Sequence, residues 1–314
     1  MKQTGIIFAA ALSLLATGCK TTEEAKPVSW KDQQAYISKS RDPRIYGLSI
    51  YQTPGGGTEI RGGSRLHQKQ VEILPMQVEK PLRTVVNIRT GIGQEHPVLL
   101  DFTERNNWFG FDLAKKVGAM PLGEGKAQLV KRSGEEFASC LSIVQSLRLN
   151  QLYIETPLLY VRMANGTIGT LAREIKKPEP EGVIGWDTLS KFEQIRIDYA
   201  GKKIFLFTTE PYTPNPDLVA LQTPLIKNAG ACAIRGVIDG KERLILIDPA
   251  GDFEIATDNG TPVRTLFLED IEFKNPVTTK SPGGSRLGAK FFSKYQVVIC
   301  PLKGNFYFEK NELK

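Results

Sequence analysis

Pro97-Val98-Leu99-Leu100-Asp101-Phe102-Thr103 is an apolar strand that stops on a carboxylate, and the pattern returns as Arg243-Leu244-Ile245-Leu246-Ile247-Asp248-Pro249-Ala250. The two runs align without gaps at an offset of 147 residues, which also matches Gly93 with Gly240 and Glu95 with Glu242. Each unit reads as strand, glycine turn, strand, aspartate. A second pair of blocks lies downstream. Val183-Ile184-Gly185-Trp186-Asp187-Thr188-Leu189-Ser190-Lys191-Phe192 aligns with Arg286-Leu287-Gly288-Ala289-Lys290-Phe291-Phe292-Ser293-Lys294-Tyr295 at an offset of 103, a frame that continues to Gly201 with Gly304 and Phe205 with Phe308. Two blocks in the same order in both halves predict an internal duplication, with the first lobe lengthened by insertions between its aspartate and its glycine.

The surrounding chain agrees with a β-rich body. Short runs such as Thr84-Val85-Val86-Asn87-Ile88, Leu152-Tyr153-Ile154 and Leu158-Leu159-Tyr160-Val161 are punctuated by Gly and Pro, the signature of many short strands. Ile45 to Tyr51 alternates as another strand, Pro54-Gly55-Gly56-Gly57 reads as a turn, and Gly110 to Val117 as one helical patch. A proline-rich connector, Pro211-Tyr212-Thr213-Pro214-Asn215-Pro216, marks the boundary between lobes. The expected division is a leader over 1–18, a tether over 19–45, a first lobe over 46–208, a linker over 209–225 and a second lobe over 226–314.

The leader has a charged start, Met1-Lys2, and a short apolar run from Ile6 to Ala16, too short to span a membrane in the mature protein. It closes on Leu15-Ala16-Thr17-Gly18-Cys19, which resembles a bacterial lipoprotein box with Cys19 as the lipidated residue. Lys20 after the cysteine resembles outer-membrane sorting, so the expected address is the cell envelope, with the body facing the periplasm and the lipid anchor holding it to the membrane. The following residues are polar and read as a tether. A net charge of +7 over 314 residues reads as a solvated surface and argues against a nucleic-acid partner.

Taken together, the aspartate strands, the Val183-Ile184-Gly185-Trp186-Asp187-Thr188-Leu189 turn and the Ile195 to Gly201 hairpin resemble the retropepsin-like aspartic peptidases over residues 78–310. The resemblance implies a mostly β fold of two pseudo-twofold-related retropepsin-like (acid protease) β-barrel lobes, each supplying one catalytic aspartate, Asp101 and Asp248. It implies a monomer with an extended peptide or protein segment in the inter-lobe cleft, and neither metal nor organic cofactor. Two carboxylates about 3 Å apart share one proton, so one acts as base on a water and the other polarises the scissile carbonyl. The resemblance also places Tyr153 and Tyr160 on the run that forms the first lobe's flap, with Tyr153 over the substrate.

The motif departs from the family just after both aspartates. Phe102 and Pro249 stand where Thr or Ser supplies a hydroxyl, and Thr103 and Ala250 stand where glycine lets the backbone approach the carboxylate. Thr103 can offer its hydroxyl from the neighbouring position and Gly251 can act through a one-residue slip, which makes both candidate substrate-site residues. Hydrolysis and binding without hydrolysis both stay open, the second as a docking module of the envelope. The remaining chemistry-bearing residues point elsewhere. His67 and His96 lack ligand spacing. Cys140, Cys232 and Cys300 allow one bridge with a free thiol, or three small buried hydrophobes, Cys232 and Cys300 then matching Val85 and Ile197. Gly283-Gly284-Ser285 lacks the spacing of a serine nucleophile.

Overall fold

The computed structural model describes residues 26–52, 58–77, 83–90, 93–123, 127–132, 135–165, 180–226, 229–281 and 283–310. The leader, Cys19 and the Pro54–Gly57 turn lie outside them. Within the described residues the protein is mostly β, with curled, half-barrel sheets and a few short helices.

Each aspartate closes the second strand of a hairpin. Val85–Arg89 pairs antiparallel with Glu95–Leu100, and Ala233–Ile238 pairs antiparallel with Lys241–Asp248. A short strand from far downstream then joins each aspartate strand in parallel. Leu99 faces Val183 and Leu100 faces Ile184, while Leu246 faces Arg286 and Ile247 faces Leu287. These pairings combine the two frames found in the sequence, one for each block. The same short strands pair antiparallel on their other side with Trp108–Gly110 and Ile255–Thr257. The first aspartate strand ends enclosed on both edges and both faces, with Val98, Leu99 and Leu100 all fully buried, while in the second Ile245 and Ile247 are buried and Leu244 is exposed.

The short strands end at Gly185 and Gly288, each followed by a one-turn helix, Trp186–Leu189 or Ala289–Phe292. A Cβ at Gly185 would collide with the carbonyl oxygen of Asn106, and one at Gly288 with that of Phe253. Only glycine lets the loop after each aspartate lie against the turn.

The two halves meet in a six-stranded sheet. Its order is Val219–Pro224, Asn305–Lys310, Tyr295–Cys300, Gln194–Asp198, Lys203–Phe207, Glu72–Pro75. Each half gives a leading strand and a closing hairpin, and the halves join where Arg196 faces Val298 in antiparallel register. The linker expectation over 209–225 is therefore corrected. Its proline-rich part is irregular, but Val219–Pro224 is a sheet strand that buries Leu221 and Thr223.

The tether expectation is corrected as well. Lys26–Pro27 pairs with Ala164–Asn165, and helix Trp30–Ile37 is capped by the Ser29 hydroxyl, which accepts from the Asp32 amide. That helix buries Tyr36, whose hydroxyl bonds Ser142 Oγ at 2.9 Å and whose ring meets Phe111 edge-on. Polar composition concealed a segment held by the inward side chains of Tyr36 and Ile37. Of the predicted strand over Ile45 to Tyr51 only the end is a strand, Ser49–Gln52. Asp42 and Pro43 instead start a 3-10 turn over Pro43–Tyr46.

Two matches in the repeat are one residue out of frame. Val85 and Ala233 occupy equivalent places, facing Leu99 and Leu246, so Cys232 corresponds to Thr84. In the closing hairpins Asp198 faces Lys203 and Cys300 faces Asn305, which makes Lys202, with φ of 56°, the counterpart of Gly304, with φ of 73°. The three described cysteines are nonetheless free and buried. Burial pushes the Cys140 thiol up to about 11 and the Cys300 thiol up to about 12.

Two outcomes are expected. Gly185→Ala and Gly288→Ala should each lower stability in urea unfolding by about 1–3 kcal/mol, the range for a forced steric insertion. The thiols of Cys140, Cys232 and Cys300 should resist alkylation in the native protein at about pH 8 and react once it is denatured, because the thiolate is the reactive form. Rapid native labelling at Cys300 would contradict the packing described.

Candidate functional site at the two aspartate loops

Asp101 and Asp248 are both buried, and each sits where its strand passes into a loop that contacts the other half. Ala250, two residues after Asp248, is buried in a cluster with Val85, Leu99, Trp108 and Val183 of the first half. In the opposite direction the Cys232 amide donates to the Phe102 carbonyl at 2.7 Å. The Tyr199 hydroxyl, on the first half's closing turn, donates to the Pro249 carbonyl at 3.2 Å. The loops after Asp101 and Asp248 thus meet at one interface, joined by main-chain bonds and by Ala250.

Both loops are also tied to the glycine turns in the same way. The Trp186 amide donates to Glu104 O at 2.7 Å, and the Ala289 amide donates to Gly251 O at 2.8 Å. Glu104 and Gly251 each lie three residues after their aspartate, so the two bonds are equivalent in position.

The carboxylates themselves have different surroundings. Asp101 Oδ1 accepts from the Thr103 amide at 2.9 Å, the Thr103 hydroxyl at 2.8 Å and the Glu104 amide at 3.2 Å. The Thr103 hydroxyl is therefore directed at its own loop's carboxylate, a local turn of the kind Asp residues favour. Around Asp248, the close backbone is that of Gly251, where a Cβ would stand 3.1 Å from Asp248 Oδ2 and strike the Phe253 ring. No glycine stands at the equivalent place after Asp101, which is Glu104.

Arg286, which the sequence motifs do not single out, is the cation beside Asp248. It occupies the place of Val183 in the second short strand, and its Nη1 lies 3.6 Å from Asp248 Oδ2, with side-chain exposures of 5% and 0%. Its Nη2 donates to Ser281 Oγ, and the guanidinium lies 5.7 Å from the centre of the Phe253 ring. An arginine stays protonated at any ordinary pH, and its planar fork suits buried pairing with a carboxylate and stacking on an aromatic ring. The charge of Asp248 also acts on its other neighbour. Burial first, then the Asp248 carboxylate, hold the Tyr199 phenol well above its usual range.

The flap residues are placed differently from the expectation. Tyr153 lies on Leu152–Glu155, separated from the Asp101 strand by two intervening strands, where it is half exposed beside His67 and the Arg148 guanidinium. The structure does not bring it to the aspartates. Tyr160 is nearer, stacked on Trp108 with ring centres 4.9 Å apart. The hairpin beside its strand is Gln128–Arg132 with Glu135–Ile143, earlier in the chain than the run containing Tyr153.

No protein-family model matches the chain, and no curated protein matches it. The site therefore stands on its own geometry.

The buried pair gives a direct prediction. Arg286→Met should destabilise the protein by about 3–5 kcal/mol, because it strands a buried charge, and adding Asp248→Leu should recover most of that loss. Urea unfolding of the two single variants and the double variant measures the coupling. Additive losses would mean that the two side chains do not depend on each other.

Proposed function

We propose that the chain is a duplicated, two-lobed retropepsin-like module on a bacterial lipoprotein, and that it holds an extended peptide or protein segment at its paired aspartate loops without cutting it. The fold part of this reading is supported by the strand order around each aspartate, by the equivalent loop bonds to the two glycine turns, and by the shared six-stranded sheet. The address rests on the Cys19 box, with the body at the outer membrane facing the periplasm.

The observation that carries the functional part is Arg286 beside Asp248. An aspartic dyad works because two adjacent carboxylates hold one proton and one negative charge between them. The ionised member takes a proton from water while the protonated member polarises the carbonyl. A fixed positive charge 3.6 Å from one carboxylate changes that count. It offsets negative charge at that position and gives Asp248 a buried cationic neighbour. Meanwhile Asp101 Oδ1 is occupied by three donors from its own loop. On this reading an extended strand is held through main-chain bonds, a recurring mode of peptide recognition by β-proteins.

Incubation with a peptide library from mildly acid to neutral pH, read by mass spectrometry, tests the proposal. Peptides should be retained by the protein and recovered intact. Cleavage that disappears in both Asp101→Asn and Asp248→Asn would overturn the non-hydrolytic reading.

A further inference from the structure

Nine large hydrophobic side chains are exposed among the described residues, and four of them fall in the short stretch from Trp30 to Tyr51. Trp30 is 73% exposed, Ile45 65%, Tyr51 46% and Ile50 36%. The same stretch is clamped to the body by a different set of side chains. Tyr36 bonds Ser142, Leu48 packs with Leu122 and Ile143, and the Arg41 amide donates to Pro121 O. All of these partners belong to one edge of the first half's sheet, where Met120–Pro121 pairs with Glu135–Ile143. Residues 30–51 therefore form a fixed layer with an apolar underside and further apolar side chains turned to solvent. Water is a poor neighbour for that many large hydrophobic groups.

Charge identifies what covers them. Lys26, Lys31, Lys39, Arg41 and Arg44 are exposed in this layer, against Asp32 and Asp42. Tryptophan and tyrosine among lysines and arginines are the composition of a membrane–water interface, where the rings sit at headgroup depth and the cations meet anionic lipid. Chain length points the same way. Lys26 follows Cys19 by seven residues, a span of at most about 25 Å.

We propose that residues Lys26–Gln52 are a membrane-docking surface that seats Trp30 and its apolar neighbours in the headgroup layer of an anionic leaflet. The inference rests on the reading of Cys19 as the lipid-bearing residue. With one anchor at the lipid and a second at this surface, the body is oriented on the membrane instead of swinging from a tether.

The test uses the full-length protein with its native lipid, reconstituted in vesicles with and without anionic phospholipid. Tryptophan quenching by shallow brominated lipid and by aqueous iodide is compared between the wild type and Trp30→Phe, which isolates Trp30 from Trp108 and Trp186. In anionic vesicles Trp30 should be quenched by the lipid and shielded from iodide. Lys31→Glu with Lys39→Glu should remove that quenching while the protein still floats with the vesicles. Trp30 open to iodide on protein that floats would overturn the docking surface and leave the anchor standing. Shielding that needs no vesicles and grows with protein concentration would overturn it in favour of a second copy of the chain. Failure to float would remove the anchor reading, and the docking surface with it.

Discussion

The reciprocal lock between the aspartate loops is the constraint on which the rest depends. Ala250 completes a cluster built by Val85, Leu99, Trp108 and Val183, and the Cys232 amide binds the Phe102 carbonyl. Each loop is thus finished by the opposite half. An interior that small admits little change in volume, which accounts for Ala250 being small. Phe102 meets a related demand on its own side, fully buried with its ring 6.1 Å from that of Trp186. Phe102 and Pro249 through their carbonyls, and Ala250 through its side chain, make contacts across the interface, while Thr103 bonds within its own loop.

Seen from the interface, the two carboxylates have unequal tasks. Asp101 organises its own loop by accepting three donors, and Asp248 answers a buried cation. A buried ion pair adds little net stability over an apolar pair of the same shape, yet breaking it is costly. Arg286 gives Asp248 a cationic neighbour in a loop whose Pro249 has no amide to offer a carboxylate.

Much of this was legible in the sequence, for reasons that also mark its limits. The aspartate strands were visible because a strand buried on both faces must be continuously apolar, and the turns because Gly185 and Gly288 admit no Cβ. Arg286 was visible too, as a charge in the place of Val183, but an alignment built on shared apolar positions treats it as noise. The one-residue slips at Val85 with Ala233 and at Asp198 with Cys300 come from hairpin geometry, which strand composition does not encode. The segment 26–45 read as a tether because its order comes from Tyr36 meeting Ser142, a contact more than a hundred residues away in sequence. Two hairpins lie between helix Phe111–Lys116 and Gly185, and only strand pairing shows that the earlier one, not the one carrying Tyr153, borders the strand of Tyr160.

The central claim is that the paired loops bind without a working dyad. It is tested most directly by comparing affinities for a retained peptide and for the same peptide with a tetrahedral hydroxyl isostere at its centre. A working dyad favours such a mimic by about a hundredfold or more, since catalysis is preferential binding of the transition state. The account predicts equal affinity for the two ligands by calorimetry, unchanged in Asp101→Asn. A strong preference for the isostere that Asp101→Asn abolishes would contradict it.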